Sequence, residues 1–254
     1  MRRQRISEER QREAICATAR TIWERGLGAA GDGNLSVRLG GDLVLTTPSA
    51  SHKGKLQPQD LVVVDLDGRV RGAGRPSSEL VLHLAAYRGR PDVGAVIHAH
   101  PPHAVALQMA GVPLSELYVS ELIFAFGQPA TAPYTTPTTT DVGRVLGAYL
   151  RCHDVVLMPR HGSVSVGPDL DTAFLRLDAL EHSARIALLA RSVGQPTPIP
   201  QDEIRNLYQV AGKTPVGAGC PPYEPEDRAT AATEGSDEAL IAAVLQALGP
   251  RGRP

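Results

Sequence analysis

The short connections between strand-like segments are what most constrain this chain. Leu35-Ser36-Val37-Arg38-Leu39 alternates as a half-buried strand does, and Gly40-Gly41-Asp42 turns it directly into Leu43-Val44-Leu45-Thr46-Thr47. Residues 155–158 and 163–166 read as a second pair of strands, meeting at Arg160-His161-Gly162. Such turns join antiparallel neighbours, whereas parallel neighbours need a crossover of about a dozen residues or more. Residues 61–64 and 93–100 read as further strands. Helical signals fall between them: Ile15, Ala19, Ile22 and Trp23 recur behind Glu8 and Glu9, and Pro76-Ser77-Ser78-Glu79 opens a helix through Tyr87, with serines as caps and the acid in its first turn. Residues 103–110, 141–150 and 171–191 complete the helical set. The pattern predicts an α/β fold with a largely antiparallel sheet flanked by helices, not a doubly wound parallel one.

A length of 254 residues allows one large domain or two small ones. Composition shifts near residue 212 to Gly, Pro, Ala, Thr and acidic residues, which predicts one domain over 1–212 and a tail over 213–254. In that tail Ser236-Asp237-Glu238 precedes Leu240, Ile241, Val244 and Leu248, the spacing of a short terminal helix. Lys+Arg 26 against Asp+Glu 27 leaves a net charge of −1, so there is no global basic footprint for nucleic acid or an anionic membrane. Aromatic residues are 4%, too few to supply base-stacking platforms. No apolar run of about 18 residues is present, nor an N-terminal apolar signal segment. With three cysteines and no CxxC pair, these features predict a reduced, cytoplasmic protein.

Histidine is the unusual residue: three of the eight fall between 98 and 103. His98 and His100 lie two apart at the end of a strand, so both imidazoles project to one face while Ala99 faces away, as a metal requires of neighbouring ligands. Local hydrogen bonding at a strand end is the more ordinary account of a bare HxH, since three-residue patterns arise by chance. A catalytic metal takes a third protein ligand, for which His103, His153 and His161 compete on spacing alone. Ser77-Ser78-Glu79 suits a helix start, and equally a phosphate cradle with an acid beside it as general base. Gly31-Asp32-Gly33-Asn34 precedes a strand and lacks the GxGxxG spacing, which excludes a dinucleotide site, and no Walker A, GxSxG or HExxH pattern occurs.

Taken in order, Gly33-Asn34-Leu35-Ser36-Val37-Arg38, Thr47-Pro48-Ser49, Asp60 to Gly68, Pro76-Ser77-Ser78-Glu79, Arg90 to Pro101, Ala132-Pro133-Tyr134 and His161-Gly162 resemble the class II aldolase and adducin family, in particular its fuculose-phosphate aldolase branch. The resemblance covers residues 8–205. It implies a three-layer α/β/α fold around a mostly antiparallel sheet, assembled as a homotetramer with active sites between subunits. It further implies that His98, His100 and His161 bind a divalent cation, zinc first and manganese or iron as substitutes. Glu79 would be the catalytic proton carrier, also able to touch the metal. Gly33, Asn34, Ser49, Ala50, Ser77 and Ser78 match the family's phosphate site, and Tyr118 is the candidate proton donor to the leaving aldehyde, in competition with Glu121 and Tyr134.

The implied activity is metal-dependent aldol cleavage or formation of a C–C bond in a keto-sugar phosphate, through a metal-stabilised enediolate. Related dehydratases, decarboxylases and 4-epimerases share the scaffold, and a non-catalytic adducin-like assembly module is the alternative of another class. Two departures stand out. Ser49-Ala50 replaces a Thr-Gly or Ser-Gly pair, and a lysine of His52-Lys53-Gly54-Lys55 either adds charge at the phosphate or sits in solvent.

Overall fold

The computed structural model describes residues 7–29, 31–116, 118–136 and 140–215. The tail from residue 216 and its expected terminal helix lie outside the described residues. Strands β1 (Asn34–Gly40) and β2 (Leu43–Thr46) form the expected hairpin, with Val37 opposite Leu45. Strand β3 (Val62–Asp65) pairs antiparallel with β2, and β4 (Ala95–Ala99) with the other edge of β1. Beyond β4 come β7 (Gly162–Gly167) and β6 (Val155–Met158), the second expected hairpin, and then β5 (Ala130–Thr131). Among the described residues the sheet has seven strands in the order β3-β2-β1-β4-β7-β6-β5, and only the β5–β6 pair is parallel. β5 was not expected: a two-residue strand carries no periodicity.

Side-chain alternation divides the sheet between two helical layers. Val44, Val64, Val96, Val156, Val164 and Val166 face α2 (Leu80–Gly89) and α5 (Thr140–Leu150). From the opposite face Leu35, Val37, Leu45, Ala95 and Ile97 meet α1 (Glu8–Glu24) and α6 (Leu170–Val193). A third cluster packs α3 (Pro102–Met109), α4 (Glu121–Ala125) and α7 (Gln201–Val210) against α6, Val155 and Leu157. Among the described residues no helix is long and apolar enough to cross a membrane. Cys16 is a free, buried thiol, whereas Cys152 is disulfide-bonded, which departs from three reduced cysteines.

The start of α2 differs from the expectation. Glu79 is the N-cap residue rather than a first-turn acid, and its side chain makes no capping bond. The serine contribution is one bond, from the Glu79 N–H to Ser77 Oγ at 3.3 Å. The carboxylate is drawn away from the helix by stronger partners on the sheet. Elsewhere Ala50 adopts φ +53°, the left-handed conformation that a glycine in this position would adopt without strain.

A polar seam runs through the α2 face of the core. His83, with no solvent exposure, is flanked by Ser36 Oγ at 2.6 Å and by Asn34 Oδ1. Burial lowers its pKa to about 3, with the nearby His98 pushing the same way. Unfolded, this imidazole takes up a proton as pH falls below about 6.5, and folded it does not until about 3. Its contribution is therefore complete above pH 6.5 and is lost on acidification. Between pH 7 and 5, urea unfolding of the wild type should lose about 2 kcal/mol more than that of His83→Gln; equal losses would contradict a neutral buried His83. Ala50→Gly should raise stability by about 0.5–1 kcal/mol, glycine's larger unfolded-state entropy included. A lower urea midpoint would show that the left-handed backbone at Ala50 is not strained.

Candidate metal centre and active site

Strand register assembles the site. On β4, His98 lies opposite Asn34 of β1 and Val164 of β7, fully buried in the middle of the sheet. His100 follows one residue beyond β4, and His161 precedes β7 at the tight turn closed by the His161 N–H to Met158 O bond at 3.1 Å. Gly162 permits the approach, since a Cβ there would fall 2.3 Å from Ala99 O and 3.0 Å from His100 Cδ2. Gly33, at φ +74°, is equally constrained, because its Cβ would lie 2.7 Å from the His98 carbonyl oxygen.

The three imidazoles form a nearly equilateral cup, with ring centroids 4.8, 4.9 and 4.9 Å apart. One ligand atom from each lies within 4.8 Å of the others. His98 Nδ1 donates to Ser163 O at 3.0 Å, which turns its Nε2 into the cup, 3.0 Å from His100 Nε2. Burial and the neighbouring imidazoles hold His100 down to about 4, and burial likewise lowers His161, so both rings are neutral near pH 7. Two ring nitrogens at that separation share either a proton or a cation. Burial would also lower His98, yet the facing Glu79 carboxylate pulls it above the ordinary imidazole value. The cup is built to attract positive charge, and its donor set fits a divalent metal.

Glu79 closes the cup from the α2 side. Its Oε2 lies 3.3 Å from His98 Nε2 and accepts from Asn34 Nδ2 at 2.9 Å, while Oε1 lies 3.4 Å from His161 Nε2. Burial raises its pKa, but His98, His161 and the Asn34 hydrogen bond outweigh that and hold the carboxyl well below the usual range. Glu79 Oε1 and His161 Nδ1 are buried without hydrogen-bond partners, consistent with a site that takes ligands.

The loops carrying the other expected residues converge on the same end of the sheet. Ser49 N–H bonds Arg75 O at 2.9 Å and Ser77 N–H bonds Thr47 O at 3.2 Å, so the Ser49-Ala50 and Ser77-Ser78 segments run side by side. Leu35 N–H to Thr47 Oγ1, at 3.2 Å, joins them to the strand that starts at Asn34. Lys53 is not in solvent: at 3% exposure its ammonium donates to Gly31 O at 3.1 Å and Ser51 O at 2.9 Å, pinning the two loops together. Burial lowers its pKa to about 8.

Three candidates stand elsewhere. Tyr118 is not brought to the cup; its hydroxyl donates to Glu116 Oε2 at 2.5 Å and accepts from Arg191 Nη2 at 2.9 Å. His103 pairs with Glu181, and His153 lies beside Tyr149, so His161 alone of the three completes the cup. The residues that sequence reasoning passed over are Ser36, His83 and Tyr87, joined by hydrogen bonds beneath Asn34. The signal for two of them was present: 79, 83 and 87 are spaced by four, one stripe of a helix.

Comparison with known proteins agrees with this geometry. Residues 13–188 match the family described as Class II Aldolase and Adducin N-terminal domain. The chain is 33% identical over 204 residues to a 5-deoxy-D-ribulose 1-phosphate aldolase of Bacillus thuringiensis, covering 78% of this chain and 94% of that one. It is also 33% identical over 184 residues to a 3-oxo-tetronate 4-phosphate decarboxylase of Haemophilus influenzae, covering 69% and 86%. Among solved structures an L-fuculose 1-phosphate aldolase superposes with a TM-score of 0.71 at 29% identity, covering 78% of this chain and 94% of that one. With its seven-stranded sheet and this match over most of its length, the chain belongs to the class II aldolase and adducin family.

Proposed function

We propose that this protein is a metal-dependent aldolase that cleaves or forms a C–C bond in a keto-sugar phosphate. The observation that carries the reading is the Glu79 carboxylate facing three convergent imidazoles inside a family of sugar-phosphate enzymes. His98, His100 and His161 would hold the cation, with Glu79 near enough to join them. Zinc suits three imidazole nitrogens and a carboxylate, with manganese or iron as substitutes. When bound, the cation supplies Lewis acidity that lowers the cost of negative charge on a ketone oxygen.

The chain's own groups do the rest. The hydroxyls of Ser49, Ser77 and Ser78, with the Asn34 amide and the N–H groups of Gly33, Ala50 and Ser78, would hold a phosphate and so fix the donor carbon beside Glu79, the Ser49 and Ser77 N–H groups being used between the segments. In the direction of C–C bond formation the ionised Glu79 takes the proton from that carbon, leaving an enediolate that attacks the aldehyde. In cleavage it returns the proton to the same carbon. Tyr118, whose hydroxyl is bonded to Glu116 and Arg191 away from the cup, would have to release those partners to donate to the aldehyde oxygen. The enzyme would be a homotetramer with its sites between subunits. The catalytic domain would span 1–212, with 213–254 a tail, and the enzyme would be cytoplasmic, acting on a small phosphorylated sugar rather than on nucleic acid or a membrane.

The Haemophilus influenzae relative supports a second reading, decarboxylation of a 3-oxo acid phosphate at the same centre. Both reactions leave an electron pair on a carbon next to a ketone, and a substrate panel with product identification separates them. With ketose 1-phosphates, aldol cleavage predicts dihydroxyacetone phosphate plus an aldehyde; carbon dioxide from a 3-oxo acid phosphate, with no such cleavage, would overturn it. Glu79→Gln should keep the metal while slowing solvent exchange of the dihydroxyacetone phosphate C–H proton by roughly 100-fold or more. An unchanged exchange rate would remove Glu79 from the proton-carrying role.

A further inference from the structure

From the hydrogen-bond chain behind Glu79 we infer that His83 is a positioning residue: as the neutral Nε2–H tautomer it fixes the Asn34 amide so that its NH2 group, not its oxygen, meets Glu79. The inference deepens the proposed role of Glu79 and rests on it. Tyr87, Ser36, His83 and Asn34 are all buried, at 2%, 0%, 0% and 3% exposure, so each polar atom must find its partner within the protein. The contacts run in one line: Tyr87 OH to Ser36 Oγ at 2.8 Å, Ser36 Oγ to His83 Nδ1 at 2.6 Å, His83 Nε2 to Asn34 Oδ1, and Asn34 Nδ2 to Glu79 Oε2 at 2.9 Å.

An ionised carboxylate accepts hydrogen bonds and never donates, and this fixes the polarity of the whole line. Asn34 must present its NH2 to Glu79 and therefore its oxygen to His83. His83 must then carry its proton on Nε2, which leaves Nδ1 to accept from the Ser36 hydroxyl. Ser36, having donated, accepts from Tyr87. A reversed amide would set the Asn34 oxygen against a carboxylate oxygen at hydrogen-bond distance, with repulsion in place of attraction.

Burial keeps His83 uncharged, so it does not offer a second proton that would reverse the Ser36 bond. Arg38 anchors the far end, donating from Nη2 to Tyr87 O at 2.7 Å with its guanidinium 4.9 Å above the tyrosine ring. Asn34 keeps one N–H beyond the bond to Glu79, which leaves it able to contribute at the phosphate as well.

The test uses zinc-loaded full-length protein with 15N-labelled histidine. Long-range proton–nitrogen spectra should show His83, assigned by its absence in His83→Gln, as the Nε2–H tautomer from about pH 5.5 to 8. An Nδ1–H tautomer or an imidazolium would overturn the inference, and this readout needs no substrate. In the dihydroxyacetone phosphate exchange assay, His83→Leu should lower the maximal rate by roughly 10- to 100-fold at unchanged KM and metal content. His83→Gln, which keeps an N–H for Asn34 Oδ1, should recover most of that rate. A His83→Leu rate within about twofold of wild type per folded molecule, with only a lower melting temperature, would reduce His83 to a structural residue. Wild-type protein that neither exchanges nor cleaves any ketose phosphate would sink the aldolase reading, while the tautomer would still decide the orientation of Asn34.

Discussion

The pairing register of β4 with its two neighbours is the constraint on which the rest of the site depends. Asn34 faces His98 across one edge and Val164 faces it across the other, and these pairs point to the same face of the sheet. A slip of one residue would turn His98 into the α1 layer among Ile15, Ala19 and Leu35. The register is held by the alternation on both faces, where Val96 belongs to the α2 core and Ala95 and Ile97 to the other. Two glycines guard it at close range, Gly33 against the His98 carbonyl and Gly162 against the Ala99 carbonyl. The side chains that would bind a cation are thus placed by backbone pairing in a rigid sheet rather than by a mobile loop.

Charge balance explains why so many polar groups are buried at one end of this core. A carboxylate under α2 is stable there because His98, His161 and the Asn34 amide surround it. His98 in turn tolerates burial because that carboxylate favours its charged form. Each would be costly without the other. Behind them the neutral Tyr87-Ser36-His83-Asn34 line satisfies its own members and sets the direction of the bond to Glu79. Lys53 steadies the rim, tying Gly31 to Ser51 so that the two loops are held together.

Much of this was legible in the amino-acid sequence because tight turns and period-two alternation act locally. The β1–β2 and β6–β7 hairpins follow from Gly40-Gly41 and from Gly162, and the shared face of His98 and His100 follows from strand geometry alone. The third histidine of the cup was not legible from spacing, since His161 is brought in only by the pairing of β4 with β7. Ser77-Ser78-Glu79 left two readings open because a helix cap and an acid turned toward the sheet have the same local signature, and only the sheet beyond reveals where the carboxylate turns. The stripe 79, 83 and 87 hinted at His83, but set among Leu80, Val81, Leu82 and Leu84 it looks like an ordinary core position, and its partners come from β1, nearly fifty residues away. The helix over Gln201–Val210, with Asp202 and Glu203 in its first turn behind Pro200, carried a readable start signal that was passed over.

The central claim is that His98, His100 and His161 together hold one divalent cation facing Glu79. Anomalous diffraction at the zinc edge, from crystals of protein loaded with one equivalent of zinc, tests it most directly. The account predicts a single peak about 2.0–2.1 Å from one ring nitrogen of each of the three histidines, on the side toward the Glu79 carboxylate. A peak bound elsewhere, or one that leaves His161 uncoordinated, would contradict it.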